Sequence, residues 1–219
     1  AVWGMRGNFL SIPSDCPQRD ERWGWTGDIQ VFGPTASFLF DTDGFLVSWL
    51  RDLALEQEHN GGVVPVIVPS PLTVLRGPVA AWGDAASILP WVLDERFADA
   101  AAVAAQYPSM RAWAETVIAE SDPQTLLWDA SFQFGDWLDP DAPADLPGRA
   151  KTQPDVVATA HVFRTLTLTA RAAERLGENA ALRVNVMNRG EGSQRVNPAN
   201  GDEAQLHRDG IAASLGLGI

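Results

Sequence analysis

Proline placement constrains this chain more than any other feature. Four of its 15 prolines fall between residues 63 and 78 (Pro65, Pro69, Pro71, Pro78), and four more between 121 and 151 (Pro123, Pro140, Pro143, Pro147). Proline lacks a backbone donor and clashes with the preceding turn of a helix. Both stretches therefore read as loops, the first with room for a brief strand at Val63-Val64 and Val66-Ile67-Val68. Helices must occupy what lies between. Residues 29–40 are mostly apolar, broken only by Gly33-Pro34. Residues 43–58 carry Phe45, Leu46, Trp49, Leu50 and Leu53 at helical spacing, with Asp43 as a cap or first-turn acid and His59-Asn60-Gly61-Gly62 as the stop. Residues 80–93 read as a buried helix interrupted at Pro90, and 97–119 as two helices meeting at Pro108. Residues 154–176 form the last helix, opened by Pro154 in the first turn and closed by Gly177. The expected fold class is all-α, built from helical hairpins whose long loops gather at one end.

From Asn185 to Gly210 the chain is rich in Asn, Arg, Gly and Asp without a sustained period, and a short apolar end follows from Ile211 to Ile219. The expected division is a helical unit over 1–177 and an irregular tail over 178–219.

Charge narrows the partners. With 16 basic and 28 acidic residues the net charge is −12, which argues against nucleic acid and against anionic membrane surfaces. No apolar run approaches the roughly 18 residues of a membrane span. The opening Ala1–Arg6 lacks the charged, apolar, small-residue order of a signal peptide. Cys16 stands alone, so neither an internal disulfide nor a zinc–cysteine cluster is expected, and nothing demands an oxidising compartment; the balance tilts slightly towards the cytoplasm. His59, His161 and His207 have no metal-ligand spacing. No metal or cofactor is expected.

Nine Trp beside a single Tyr is unusual for this length. Indoles suit cores, and their flat apolar faces also suit sugar rings. Trp49, Trp91, Trp113 and Trp128 lie at apolar positions and read as core, and Trp23 as core or rim. Trp82 and Trp137 each neighbour Gly and Asp, which favours a site.

The densest polar segment runs from Asp15 to Asp28 and holds Asp15, Asp20, Glu21 and Asp28 with Arg19, Arg22, Trp23 and Trp25. Close carboxylates push one another's pKa values apart, so that one stays protonated while its neighbours ionise. Arginines fix carboxylates or hydroxyls by forked hydrogen bonds. Acid catalysis on a neutral, hydroxyl-rich substrate follows from that mixture. The plainer readings are an acid paired with Arg19 or Arg22 for Glu21, helix capping for Asp15 and Asp28, and an ion pair for Arg22.

Gly7-Asn8-Phe9-Leu10-Ser11-Ile12-Pro13-Ser14, leading into Asp15–Asp28, closely resembles the signature of glycoside hydrolase family 78, the α-L-rhamnosidases. Ala81-Trp82-Gly83-Asp84-Ala85 and Phe134-Gly135-Asp136-Trp137-Leu138 resemble further loops of that family. The likeness covers roughly residues 5–176. It implies an (α/α)6 barrel, of which this chain would hold about the first half. It also implies inverting hydrolysis of terminal α-L-rhamnosyl linkages in rhamnose-containing oligosaccharides or glycosides. Glu21 then corresponds to the general acid, and a raised Glu21 carboxyl is expected in the complete barrel. Asp15, Arg19 and Asp28 correspond to binders of rhamnose hydroxyls, and Trp25, Trp82 and Trp137 to walls of the sugar pocket, with Asp84 and Asp136 carried over less firmly. The family's general base is a Glu beyond the last matching helix, for which no position matches here; Glu191 and Glu203 of the tail are not assigned to it. The β-domains that precede the barrel in that family have no counterpart in the sequence. A half-barrel exposes apolar faces, which invites self-association. The alternatives are another specificity on the same scaffold and a catalytically inactive sugar-binding fragment.

Overall fold

The computed structural model describes residues 1–70, 77–146 and 148–178. Its elements are α1 (Val2–Asn8), α2 (Thr26–Leu39), α3 (Asp43–His59), α4 (Ala85–Phe97), α5 (Ala100–Glu120) and α6 (Pro154–Leu176). No strand forms among the described residues; the β-branched run contributes one isolated bridge, Ile67 to Trp25. The all-α expectation holds. The tail from 179 to 219, with Glu191, Glu203 and His207, lies outside the described residues. No helix among the described residues is long and apolar enough to cross a membrane.

Two proline readings are corrected. Pro90 lies inside α4 and Pro108 inside α5, and neither divides its helix; Pro34 likewise sits inside α2. A buried proline forfeits one backbone bond, yet the flanking turns stay helical where packing holds both sides. Leu89, Pro90 and Trp91 are all buried, as are Tyr107 and Met110 around Pro108. The helix α1 carries no strong period and was not expected from the sequence.

The chain falls into two compact units, Ala1–Thr116 and Val117–Ile219. In the first, α2 and α4 pack side by side and run in the same direction. The contacts advance together along both helices. At the start, a Cβ on Gly27 would come within 2.7 Å of the Trp82 ring. Midway, one on Gly33 would come within 2.5 Å of Leu89 Cδ2. At the far end Arg96 Nε donates to the Ser37 carbonyl at 3.2 Å. Glycine at the first two positions lets the helices approach this closely. The N-termini of α2 and α4 therefore share one end, and the segments directly before them, 9–25 and 77–84, lead into it.

Buried polar groups tie the remaining helices together. Gln57 of α3 donates to the carbonyls of Gly62 (2.8 Å) and Ser109 (3.2 Å) and accepts from Ser109 Oγ. Asp84, 1% exposed, accepts from Trp113 Nε1 at 3.1 Å and from the Ala81 amide at 2.6 Å. Its buried position and its partners make Asp84 an anchor for the 81–84 turn. Asp84→Ala would strand the buried Trp113 indole N–H and the Ala81 amide. Each buried donor left unsatisfied costs about 1–3 kcal/mol, so a loss of about 2 kcal/mol or more is expected in urea unfolding. A loss under about 1 kcal/mol would remove that role.

In the second unit, Trp128 is fully buried; its amide donates to Thr159 Oγ1 at 3.1 Å and its indole to Ser131 Oγ at 2.7 Å. These bonds fasten the loop before α6 onto that helix. Trp49, Trp91, Trp113 and Trp128 are all buried, as the sequence reading has it.

Candidate active site

The loop from Phe9 to Trp25 is held at both ends by backbone contacts. The Ser14 amide and hydroxyl both donate to the Asn8 carbonyl at 3.0 Å. The Asp15 amide donates to the Trp23 carbonyl at 3.0 Å, and the Trp23 amide donates back to Asp15 Oδ1 at 2.9 Å. This reciprocal pair closes residues 15–23 into a ring. Below it, the Val68 amide donates to the Gly24 carbonyl and the Thr26 amide to the Val66 carbonyl, each at 2.9 Å. Trp49 Nε1 then donates to the Val68 carbonyl at 3.2 Å. Inside the ring Cys16 and Arg22 both take positive φ (32° and 54°), a conformation that costs side-chain-bearing residues energy and persists where surroundings enforce it.

That ring presents Glu21 to two donors. Arg19 Nε donates to Glu21 Oε2 at 2.6 Å, and Trp25 Nε1 donates to Glu21 Oε1 at 3.1 Å. Asp15 hydrogen-bonds the same carboxyl. The two acids respond in opposite directions. Burial raises Asp15 above its ordinary value, the Glu21 hydrogen bond and charge add to that, and the Trp23 amide opposes it. Burial also pushes Glu21 upward, but the hydrogen bonds from Asp15, Trp25 and Arg19 outweigh it and hold Glu21 below the usual range. A raised Glu21 carboxyl is thus not found in this chain; the raised member of the pair is Asp15. The plain ion-pair reading also changes hands. Arg19 makes the pair, while Arg22 Nη2 donates to the Pro17 carbonyl at 2.9 Å.

Asp28 lies in the first turn of α2, with Trp25 as the capping residue, so it does not cap the helix by its side chain. Desolvation by the surrounding protein raises its carboxyl and the Asp15 charge adds to this, although the residue stays open to solvent on one side. Asp15 and Asp28 both line a cavity of about 490 Å³ with Asn8, Pro13, Cys16 and Phe32. Asn8 and Cys16 were not singled out as site residues; Asn8 belongs to the helix that lacks a sequence signal. The Cys16 thiol is raised by burial and by Asp15, which keeps it protonated.

Trp82 reaches this neighbourhood by lying on the Gly27 backbone, one residue from Asp28. The structure therefore brings Asp15, Arg19, Glu21 and Trp25 into one hydrogen-bonded group, with Asp28 and Trp82 beside the same helix start. Trp137 belongs to the second unit. It is 42% exposed and sits edge-on to Phe134 at 5.0 Å. Asp136 beside it is exposed.

Ligating atoms of Asp15, Cys16 and Glu21 lie within 4.8 Å of one another, the only such group among the described residues. The Arg19 guanidinium already places a positive charge on Glu21. A cation there would have to displace it. The arrangement suits proton transfer better: an acid raised by burial is hydrogen-bonded to one lowered by its Asp15, Trp25 and Arg19 contacts, and the Arg19 side chain is 60% exposed.

Residues 1–187 match the family model described as the bacterial α-L-rhamnosidase six-hairpin glycosidase domain. An α-L-rhamnosidase of Formosa agariphila is 40% identical over 178 residues, covering 81% of this chain and 18% of that protein. The crystal structure of native α-L-rhamnosidase from Aspergillus terreus superposes with a TM-score of 0.79 at 38% identity, over 99% of this chain and 26% of that one. The Streptomyces avermitilis α-L-rhamnosidase complexed with L-rhamnose gives 0.73 at 34% identity, over 98% of this chain and 21% of that one. The chain spans about a fifth of the length of the curated relatives it matches.

Proposed function

This chain belongs to the bacterial α-L-rhamnosidase six-hairpin glycosidase family, and from that membership we propose that it supplies the acid half of an α-L-rhamnosidase site. The reaction is hydrolysis of terminal α-L-rhamnosyl linkages with inversion at the anomeric carbon. Glu21 protonates the leaving oxygen. Asp15, Arg19 and Asp28 bind sugar hydroxyls, and Trp25 and Trp82 wall the pocket. No cofactor enters the reading.

The observation that carries it is the Glu21 carboxyl held between Arg19, Trp25 and Asp15, whose own carboxyl is raised by burial. An acid catalyst must hold a proton when substrate is bound. Without substrate, Arg19 keeps Glu21 ionised. If Arg19 turns to a sugar hydroxyl, Glu21 loses a positive partner and its carboxyl takes up a proton more readily. Asp15 itself is not the opposing base. It touches Glu21, whereas acid and base in an inverting pair stand about 6.5–9.5 Å apart with water between them. We assign the base to no described residue.

The decisive experiment follows the anomer released first from an aryl α-L-rhamnoside by NMR, using the full-length protein. The β-anomer is expected; the α-anomer would mean retention, and no release would remove the reading. A second check concerns pH. Turnover that needs protonated Glu21 falls as pH rises through its pKa. Arg19 lowers that pKa, so Arg19→Met should move the alkaline limb of kcat/KM to higher pH. An unmoved or acid-shifted limb would separate Arg19 from Glu21. Self-association belongs to the same proposal. Trp3 is 80% exposed, Val31 73% and Phe38 69%, and the 219-residue chain by itself should elute larger than 23.6 kDa. Elution as a monomer would end that part.

A further inference from the structure

The unit Val117–Ile219 contains a cavity of its own, of about 260 Å³, at the start of α6. Asp129, Ser131, Gln133, Gln153 and Asp155 line it with Trp128. The hollow opens to solvent, since Asp129, Gln153 and Asp155 are exposed, and its lining is mainly polar. Its groups are fixed from behind. Gln133 is only 8% exposed, and its Nε2 lies 3.5 Å from Ser131 Oγ. Ser131 Oγ accepts the Trp128 indole N–H, which leaves its own proton to donate. Asp155 Oδ1 accepts from the Val156 amide at 3.0 Å, which holds that carboxylate in the first turn.

The lining selects its ligand class. No Lys or Arg is among the described lining residues, and two carboxylates flank the opening, so an anion is disfavoured. Carboxylates only accept, carboxamides accept and donate, and the serine donates. The complement is a neutral molecule with several O–H donors and some acceptors. The volume lies just below the usual range of ligand pockets, about 300–1,000 Å³, which suits one ring better than a chain of them. The segment that forms the wall also has a second side. Ser131 and Gln133 line the cavity, while Phe134 packs edge-on with Phe132 (5.1 Å between centroids) and with Trp137 (5.0 Å).

We propose that this cavity binds one neutral sugar ring through Gln133, Ser131 and the Asp129 and Asp155 carboxylates, using none of the residues of the Glu21 loop. The binding stands on this unit's own residues and does not rest on the rhamnosidase reading.

Calorimetric titration of the full-length protein with methyl β-D-glucopyranoside tests it. Millimolar binding is expected, unchanged in Glu21→Gln. Gln133→Leu and Asp155→Ala should each weaken it about tenfold, the usual consequence of losing a ligand hydrogen bond of this kind. Asp155 is exposed, so that variant keeps its fold even if the buried Gln133 change does not. No heat with the wild type, or wild-type affinity in folded Asp155→Ala, would overturn the proposal. Binding of calcium chloride in place of the glucoside would also overturn it, in favour of a cation site. Glucoside binding without any aryl rhamnoside hydrolysis would sink the rhamnosidase reading and leave this one standing; hydrolysis without glucoside binding would do the reverse.

Discussion

Glu21→Gln is expected to lower kcat/KM on a natural rhamnoside by about 10²–10⁴-fold, the usual contribution of a positioned proton donor. Glutamine keeps the size and can still accept from Trp25 Nε1, but it has no acid proton to give. An alkyl or sugar leaving group departs poorly as an alkoxide and needs that proton. A nitrophenolate leaves readily without one. The same variant should therefore lose far less on a 4-nitrophenyl rhamnoside. Steady-state kinetics on both substrates check this. Equal losses on the two would show that Glu21 positions the substrate or the loop and does not donate the proton, and unchanged rates on both would remove Glu21 from the chemistry altogether. The ion pair with Arg19 breaks in this variant as well, so Arg19→Met measured beside it shows how much of any loss is due to the pair alone.

Gly24→Ala should be the most damaging small substitution in the loop. A Cβ at this position would lie 2.1 Å from the Val68 carbonyl oxygen. That oxygen cannot simply withdraw, because Trp49 Nε1 donates to it and the Val68 amide holds the Gly24 carbonyl. Relief requires the 24–26 segment to part from 66–68, which breaks the Trp25–Ile67 bridge and frees the end of the Glu21 loop. Overpacking of this kind costs about 3 kcal/mol, and for a chain of 219 residues that corresponds to a fall in Tm of roughly 6–12 °C. Turnover should fall with it, since the loop that aims Glu21 loses its support. Gly44→Ala is the matching control: its added Cβ meets nothing within 4 Å, and its Tm should hardly move. Equal Tm values for the two variants would show that the 66–68 segment does not anchor the loop.

The helices were legible where a period and its punctuation agreed. α3 runs from Asp43 to His59 against an expected 43–58, and α6 runs from Pro154 to Leu176 as expected. Both carry an apolar stripe and end before glycine. Legibility failed where local and tertiary preferences conflict. Pro90 and Pro108 are strong local breakers, but burial of the neighbouring side chains carries both helices through them. Residues 63–68 have the composition of a strand and form one bridge only, because flanking prolines remove the donors that a longer ladder needs.

The candidate site divides in the same manner. Its inventory was written in the chain: carboxylates, arginines and indoles crowded into 15–28, and indoles beside Gly and Asp at 82 and 137. The sequence also places Asp15–Trp25 and Trp137 in loops, because proline and glycine exclude regular structure around them, whereas Asp28 falls in α2 and Trp82, read as helical within 80–93, lies in the turn before α4. Which arginine faces Glu21, which of two acids is raised and which lowered, and that Trp82 rests on Gly27 were decided only in three dimensions. Those properties depend on distances of a few ångströms between residues far apart or differently turned in the chain. Asp15 and Glu21 are the same kind of acid six positions apart, and nothing in their order distinguishes them. Arg19 and Trp25 on one carboxyl, and burial of the other, send their pKa values in opposite directions.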